Sequence, residues 1–201
     1  VSAGGLDAIA TVADSAIADV SGTMTVRAAT TSDVTTEALA RADGSGIGVG
    51  LGAAVSALDD DATAQVVGGA RVTGGVLSLR AHGLGVSRTE AEGGAGAGGA
   101  IAALASTGDS RAVLGEGAPV TLDGAALVSA QRRGEADVAA HAAGAGADAA
   151  VAATLALGVV ADSAEATLSR AVTSGDAVTV TADQSVVLDV SADASARGAD
   201  A

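Results

Sequence analysis

The sequence predicts an all-β protein, a β-solenoid in which about four repeats of roughly 50 residues stack on one another. Three observations lead to this prediction: similar segments recur at regular spacing, apolar and polar residues alternate with a period of two, and the composition is unusual. Glycine accounts for 29 of the 201 residues, and Phe, Trp, Tyr and Cys are absent. Without aromatic side chains, a core must be built from many small contacts between closely spaced layers.

The first set of recurring segments has a strand-like pattern and ends in alanine. Its members are GTMTVRA, GVLSLRA, GAALVSA and AVTVTA, which end at Ala28, Ala81, Ala130 and Ala182. The spacings are therefore 53, 49 and 52 residues. Recurrence at a fixed period of this length is typical of repeat architectures.

A second set recurs independently of the first. The segments VADSAIADV, LDDDATAQV, STGDSRAVL and VADSAEATL align Ala16, Ala62, Ser110 and Ala164 at spacings of 46, 48 and 54 residues. The two sets together predict one domain over 1–201, which we interpret as a segment of a longer protein. Its approximate units are 1–44, 45–93, 94–147 and 148–201.

Within the units the alternation indicates strands. In the segment 23–28, Met24, Val26 and Ala28 fall on one face, whereas the residues between them are Thr or Arg. The segment 186–197 alternates in the same way, as a half-buried strand does. Helices are the alternative because alanine is the best helix former, but each of the many glycines costs a helix about 1 kcal/mol relative to alanine.

Two segments predict strands that are buried on both sides. In 47–57 an aliphatic face (Ile47, Val49, Leu51, Ala53, Val55, Ala57) opposes a face made mostly of glycine, and 151–160 repeats this design. A glycine face allows another layer to approach very closely. The Asp and Ser residues at 14–15, 59–61, 109–110 and 162–163 are predicted to form the turns that follow. Each unit is then predicted to continue with a short amphipathic strand, a GG or SG turn, and another strand.

Charge and hydropathy exclude two classes of partner. The formal net charge is −14, with 24 acidic residues against 10 arginines, so the clustered cations that bind nucleic acid are missing. The longest apolar run, 149–161, is too short to span a bilayer as a helix. We expect neither nucleic-acid binding nor membrane insertion.

The alternating strands of 46–66 and 175–196 resemble the repeat regions of large secreted bacterial surface proteins, the filamentous-haemagglutinin-like and autotransporter-like adhesins. The resemblance implies a parallel β-helix or a related β-solenoid outside the cell, at the bacterial surface. It also implies self-association with further copies or with flanking repeats of the same chain. Host or surface glycans are further candidate partners.

The motifs that could indicate catalysis or cofactor binding lack the neighbouring elements and partner residues that such sites require. Gly94, Gly96 and Gly99 fit the dinucleotide pattern G-x-G-x-x-G, but the segment does not lie between a hydrophobic strand and a helix. Ser110 within GDS needs a base and an orienting carboxylate. The two histidines, His82 and His141, occupy non-equivalent places in their repeats. We therefore predict no catalytic residues and no organic cofactor.

The three consecutive carboxylates Asp59, Asp60 and Asp61 are the best candidate ligands for a metal, namely calcium. Hard cations bind several oxygens, although no EF-hand loop or calcium-binding nonapeptide occurs and the tripeptide is not repeated. A solvated acidic turn is the alternative interpretation.

The sequence therefore predicts a structural, non-catalytic extracellular segment that forms a stiff stacked-strand rod or filament. A calcium- or glycan-binding β-helical module is the alternative, and a carbohydrate-cleaving β-helix is less favoured because no aromatic residue could stack on a sugar. Two coil sizes remain open. Half a repeat per coil would give about eight layers, and a whole repeat about half as many.

Overall fold

The computed structural model describes residues 1–42, 48–146 and 150–198, which form ten strands and no helix. All strand pairs in this part of the chain are parallel. The predicted all-β class is therefore confirmed. The predicted unit boundaries at 44/45 and 147/148, and Ile47 of the predicted aliphatic face, lie outside the described residues.

Successive long strands alternate between two sheets. Sheet A contains, in spatial order, β1 (Ser2–Val12), β3 (Val49–Val66), β5 (Ala97–Leu114) and β8 (Val151–Leu168). Sheet B contains, in spatial order, β2 (Ile17–Arg41), β4 (Arg71–Ala95), β7 (Ala126–Gly146) and β10 (Val178–Gly198). One strand of sheet A and the next long strand of sheet B form what we call a layer, so the described residues make four layers.

Two short strands extend sheet B in the third and fourth layers. β6 (Val120–Leu122) pairs with Thr73 and Gly74 of β4, and β9 (Val172–Ser174) pairs with β6. In these layers the chain breaks before the long strand begins, as the predicted turn requires. In the first two layers the predicted SG and GG turns are wrong: Ser21–Gly22 and Gly74–Gly75 lie within β2 and β4, at a shift of register.

The register confirms the first set of recurring segments. Ala28 pairs with Ala81, Ala81 with Ala130, and Ala130 with Ala182, each on adjacent strands of sheet B. One repeat therefore makes one layer, and the half-repeat alternative is wrong. The second set is correct for its last three members, because Ala62 pairs with Ser110 and Ser110 pairs with Ala164.

The predicted alignment of the first member of the second set is wrong. Ala62 pairs with Ala8, not with Ala16. Ala16 instead closes the turn after β1, where its amide donates to the carbonyl of Ala13 at 3.2 Å. Ser15 in this turn has a φ of 63°, so the predicted turn at 14–15 is confirmed.

The other three predicted acidic turns are wrong. Residues 59–61, 109–110 and 162–163 lie in the middle of β3, β5 and β8, and each has a hydrogen-bonded neighbour in register. The period of two simply continues through these positions. An aspartate is accommodated inside because the interior supplies a cation and hydroxyl groups, as described below.

One half of the interior is thick and aliphatic. It contains the C-terminal parts of the sheet A strands and the N-terminal parts of the sheet B strands, with Leu77, Leu79, Leu114, Val66 and Val128 fully buried. Met24, Val26 and Ala28 point inward here as predicted, with Val26 and Ala28 buried. Burial of such side chains stabilises by roughly 1.5–3 kcal/mol each.

The other half of the interior is thin. Its buried apolar residues are mostly alanines, such as Ala54, Ala102 and Ala140. A Cβ atom added to Gly52 or Gly93 would clash with the backbone oxygen of Glu92 or Gly99 on the facing sheet. The predicted close approach of a layer to the glycine face is therefore confirmed.

The predicted burial of the opposite, aliphatic face is wrong. Val49, Leu51 and Val55 point away from the interior and are 60%, 73% and 40% exposed. The physical reason is that the two backbones approach too closely in the thin half to admit any side chain larger than alanine at most positions. The larger side chains therefore lie on the outer surface.

Candidate functional site: assembly surfaces and a buried polar layer

A continuous aliphatic surface covers part of the outer side of sheet A. We define it as the aliphatic face, formed by the outward residues of 49–57, 97–105 and 151–161, all of which are Ala, Gly, Val, Leu or Ile. Its large exposed members are Val49, Leu51, Val55, Ile101, Val151, Leu155, Leu157 and Val159. Contiguous apolar patches of this kind are unusual on soluble proteins and are typical of interaction surfaces.

The remaining outward positions of sheet A are mostly polar. Asp7, Asp61 and Asp109 are neighbours in register on β1, β3 and β5. Asp61 Oδ1 accepts a hydrogen bond from the amide of Asp109 at 3.0 Å, and Arg111 Nη2 donates to Asp109 Oδ2 at 2.9 Å. The outer side of this sheet therefore has an uncharged half and an acidic half.

The three candidate calcium ligands do not converge on one point. Asp59 and Asp61 point outward, whereas Asp60 points inward and is 1% exposed. Asp59 Oδ1 accepts from Thr107 Oγ1 at 2.8 Å, and Asp60 accepts from Ser32 Oγ inside the protein. Within the described ranges, no group of three or more His, Cys, Asp or Glu residues could hold a metal ion.

A buried polar layer separates the thick half of the interior from the thin half. Its central residue is Arg132, whose side chain is fully buried together with that of Asp162. Arg132 Nη2 donates to Asp162 Oδ1 at 3.2 Å and Nη1 donates to the carbonyl of Asp60 at 3.5 Å. Nε lies 3.2 Å from Asp162 Oδ2 but is not aligned for a hydrogen bond.

Glycines make room for this guanidinium. A Cβ atom on Gly83 would come within 2.7 Å of Arg132 Nη1, and one on Gly108 would overlap the guanidinium. The period-two pattern places Asp60 and Arg132 on inward faces, so the sequence contained a signal for a buried polar layer. It did not indicate Asp162 as the partner, because that pairing depends on how the two sheets face each other.

A second buried arginine joins the ends of three layers. Arg170, 8% exposed, donates to the carbonyls of Ala70 at 2.7 Å and of Val67 at 2.9 Å in the second layer. In the third layer it donates to the carbonyls of Gly115 and Glu116. Desolvation lowers the pKa of this guanidinium. Neither the repeats nor the motifs of the sequence indicate a role for this residue.

The outer side of sheet B carries a polar groove of about 750 Å³. Arg27 and Arg80 lie side by side in its floor, paired in register on β2 and β4. In the described part of the chain, neither has a carboxylate within 4.0 Å, although Arg80 Nε donates to Ser78 Oγ at 3.1 Å. Thr25, Ser129 and Gln131 line the groove beside them.

The residues considered for catalysis lie far apart in the fold. Ser110 is fully buried inside, whereas His82 lines the outer groove of sheet B and His141 lies exposed at another place on that outer side. Gly94, Gly96 and Gly99 run from β4 into β5, so a strand follows them where a dinucleotide site would need a helix.

The last layer leaves an open row of inward-facing aliphatic side chains. Val186, Leu188 and Val190 of β10 point to the interior side, yet they are 39%, 42% and 42% exposed. β10 pairs with β7 on one side, and its other edge has no strand partner among the described residues. Such an edge is a template for pairing with another chain.

No family model matches the chain, and neither a curated protein nor a solved structure matches it. In the described ranges, no helix is long and apolar enough to cross a membrane. The functional interpretation therefore depends on the surfaces and contacts above.

Proposed function

We propose that this chain is a structural, non-catalytic segment of a bacterial surface adhesin or fibre, working outside the cell. In this proposal the four layers close into a β-solenoid, and further layers from other copies or from flanking repeats continue the stack at its ends. The extracellular and bacterial assignment comes from the resemblance to large surface adhesins.

One observation supports the proposal: aliphatic side chains of β10 in the last layer face the interior side, yet no further layer among the described residues covers them. Leu188 already packs over the glycine at 158 of β8, where an added Cβ would lie 2.8 Å from Leu188 Cδ1. Its opposite side remains open. Covering such apolar area stabilises by about 25 cal/mol per Å², so another strand on this edge is favoured.

The first layer is a suitable cover for the last one. If β2 of a second copy continued the register of sheet B, its Ala28 would lie opposite Ala182, as Ala28 lies opposite Ala81 within one copy. Leu188 would then lie opposite Val34, and Gln184 opposite Thr30. The apolar rows and the polar layer would both continue across the junction.

Sedimentation velocity over a concentration series tests end stacking. Leu188→Lys places a charge in the open inward row, where it must be desolvated on stacking, and we expect it to abolish concentration-dependent growth. Val187→Lys is the matched control, because the neighbouring side chain points outward and is 58% exposed. Equal growth of both variants and the native chain would contradict the proposal.

A second candidate function is the binding of an anionic glycan, and the groove on sheet B favours it. Like charges directly opposite each other on adjacent strands are destabilising, so an acidic ligand bridging Arg27 and Arg80 would relieve repulsion. Arginine binds carboxylate and sulfate groups in a bidentate manner. Hydroxyl groups of Thr25 and Ser129 lie nearby for the sugar.

Calorimetry with a sulfated and a carboxylated polysaccharide tests this second function. We expect Arg27→Gln combined with Arg80→Gln to weaken binding at least tenfold, whereas Arg71→Gln combined with Arg197→Gln removes the same charge elsewhere. Equal weakening by both pairs would mean that only net charge matters. A parallel titration with calcium chloride tests the calcium alternative, for which heat dependent on Asp59 and Asp61 is required.

A further inference from the structure

The aliphatic face is a different surface from the open ends, and its size can be compared with known interfaces. Its exposed members include Leu51 at 73%, Val159 at 62% and Leu157 at 53%. The exposed parts of its eight large side chains amount to roughly 700 Å², close to the about 800 Å² per partner of a standard protein interface. A surface of this extent is large enough to hold two proteins together.

We infer that the aliphatic face binds the aliphatic face of a second copy of this chain, sheet against sheet. Regular sheets pack face to face at a separation of about 10 Å. The two surfaces are alike in chemistry and carry no charge, so neither has a polar group that would be buried without a partner.

Charge determines where the two copies can meet. The chain carries a net charge of −14, so contact between most parts of two copies is opposed by repulsion. The aliphatic face is the uncharged half of the outer side of sheet A, and the carboxylates of Asp59, Asp61 and Asp109 lie on the other half. Repulsion therefore directs association to this surface.

The same carboxylates determine the relative direction of the two copies. A parallel arrangement would place the acidic half of one copy against the acidic half of the other. A two-fold axis that lies in the interface and runs perpendicular to the strands makes the facing strands antiparallel, so the uncharged halves overlap and the acidic halves project at opposite ends. The interface is thus isologous, the commonest type in homodimers.

The aliphatic face also contains a hollow that side chains of a facing sheet could fill. A hollow of about 420 Å³ lies on the aliphatic face, lined by Leu51, Ala53, Ile101, Ala153 and Leu155. Its floor is formed at Gly99, where no side chain projects. Aliphatic side chains of a second copy fit a hollow of this kind better than solvent does, because apolar cavities gain little from water.

A lipid surface fits this face less well. Interfacial membrane binding uses apolar residues together with Trp, Tyr, Lys or Arg at the headgroups. The chain contains no aromatic residue and no lysine, and acidic residues adjoin the aliphatic face. Anionic lipids would repel that border.

The inference is tested in the Leu188→Lys background, so that end stacking does not contribute. Light scattering and sedimentation equilibrium should show a dimer in this background. Adding Leu155→Glu and Leu157→Glu should raise the dimer dissociation constant at least a hundredfold, because two carboxylates would face two others in a desolvated interface. Thr167→Glu is the matched control on the same side of β8, outside the aliphatic face.

Because the chain has no cysteine, a single introduced thiol can report proximity. Ala103→Cys lies near the centre of the aliphatic face, whereas Thr167→Cys lies in the polar half of the same outer side. Mild oxidation should cross-link the first variant and leave the second monomeric on a denaturing gel. A folded monomer in the Leu188→Lys background, or a dimer unaffected by the two glutamates, would overturn the inference.

Capture of the Leu188→Lys variant by anionic or neutral vesicles, without dimer formation, would also overturn it in favour of a lipid surface. The outcome for end stacking is separate. Growth lost through Leu188→Lys with no dimer would leave the proposed function standing and remove the lateral interface. A dimer without any end-to-end growth in the native chain would leave the lateral interface standing and contradict the proposed end stacking.

Discussion

The thick and thin halves of the interior use the same alternation for opposite purposes. In the thick half, around Leu77 and Leu79, aliphatic side chains point inward and hold the sheets together. In the thin half, around Gly52 and Gly93, the sheets approach so closely that the aliphatic side chains of sheet A point outward. The comparison shows that alternation defines two faces, whereas side-chain volume decides which one becomes the interior.

A substitution in the buried polar layer between the halves should cause the largest decrease in the free energy of unfolding. Arg132→Met leaves the carboxylate of Asp162 buried without its cation, and loss of one partner of a buried ion pair costs about 3–5 kcal/mol. We expect a decrease of this size in the free energy of unfolding, measured with urea and far-ultraviolet circular dichroism. Asp162→Leu added to Arg132→Met should recover much of the loss, and no recovery would contradict the described pairing.

Within the thick half, truncation of a buried leucine should cost somewhat less. Leu79 is fully buried, and Leu→Ala at such sites costs about 2–5 kcal/mol through lost burial and a residual cavity. The same urea titration measures the change. A cost below about 1 kcal/mol would mean that this half is not the main core.

Within the thin half, enlargement rather than truncation should be harmful. The added Cβ of Gly93→Ala would overlap the backbone of Gly99, and overpacking typically costs about 1–3 kcal/mol. Gly4→Ala is the control, since no atom of the described residues lies within 4 Å of its added Cβ. If both variants unfolded at the same urea concentration as the native chain, the sheets would not approach so closely here.

A substitution on the aliphatic face should cause the smallest change in the free energy of unfolding. Leu51→Ala removes a side chain that is 73% exposed, so the free energy of unfolding of the monomer should change by less than about 1 kcal/mol. The measurement belongs in the Leu188→Lys background at low concentration. A loss as large as that of Leu79→Ala would show that Leu51 is covered within the monomer.

Much of the fold could be predicted because equivalent residues of successive repeats pair with one another on adjacent strands. The spacing of Ala28, Ala81, Ala130 and Ala182 gave the layers of sheet B correctly, since parallel in-register stacking keeps equivalent residues adjacent. The alignment of Ala16 failed because the letters VADSA occur both in a turn and inside β8. Local composition cannot distinguish the turn from the strand, because the difference depends on which neighbouring strand each segment pairs with.

The candidate site was harder to predict than the fold. A turn is predicted at Asp60, yet its carboxylate lies inside because the hydroxyl group of Ser32 on the facing sheet donates to it, while Arg132 donates to its backbone carbonyl. Leu51 and Leu155 were expected inside, yet they lie outside because the glycine face determines the distance between the sheets. Both outcomes depend on contacts between sheets, which the period of two within one strand does not encode.

Cryo-electron microscopy of the native chain over a concentration series tests the central claim most directly. Four layers about 4.8 Å apart extend about 19 Å along the stacking axis. We expect particles that lengthen with concentration, with a 4.8 Å repeat along the long axis, whereas the Leu188→Lys variant remains short. Compact single particles of constant length at every concentration would contradict the claim that this chain is an assembling stack of parallel strands.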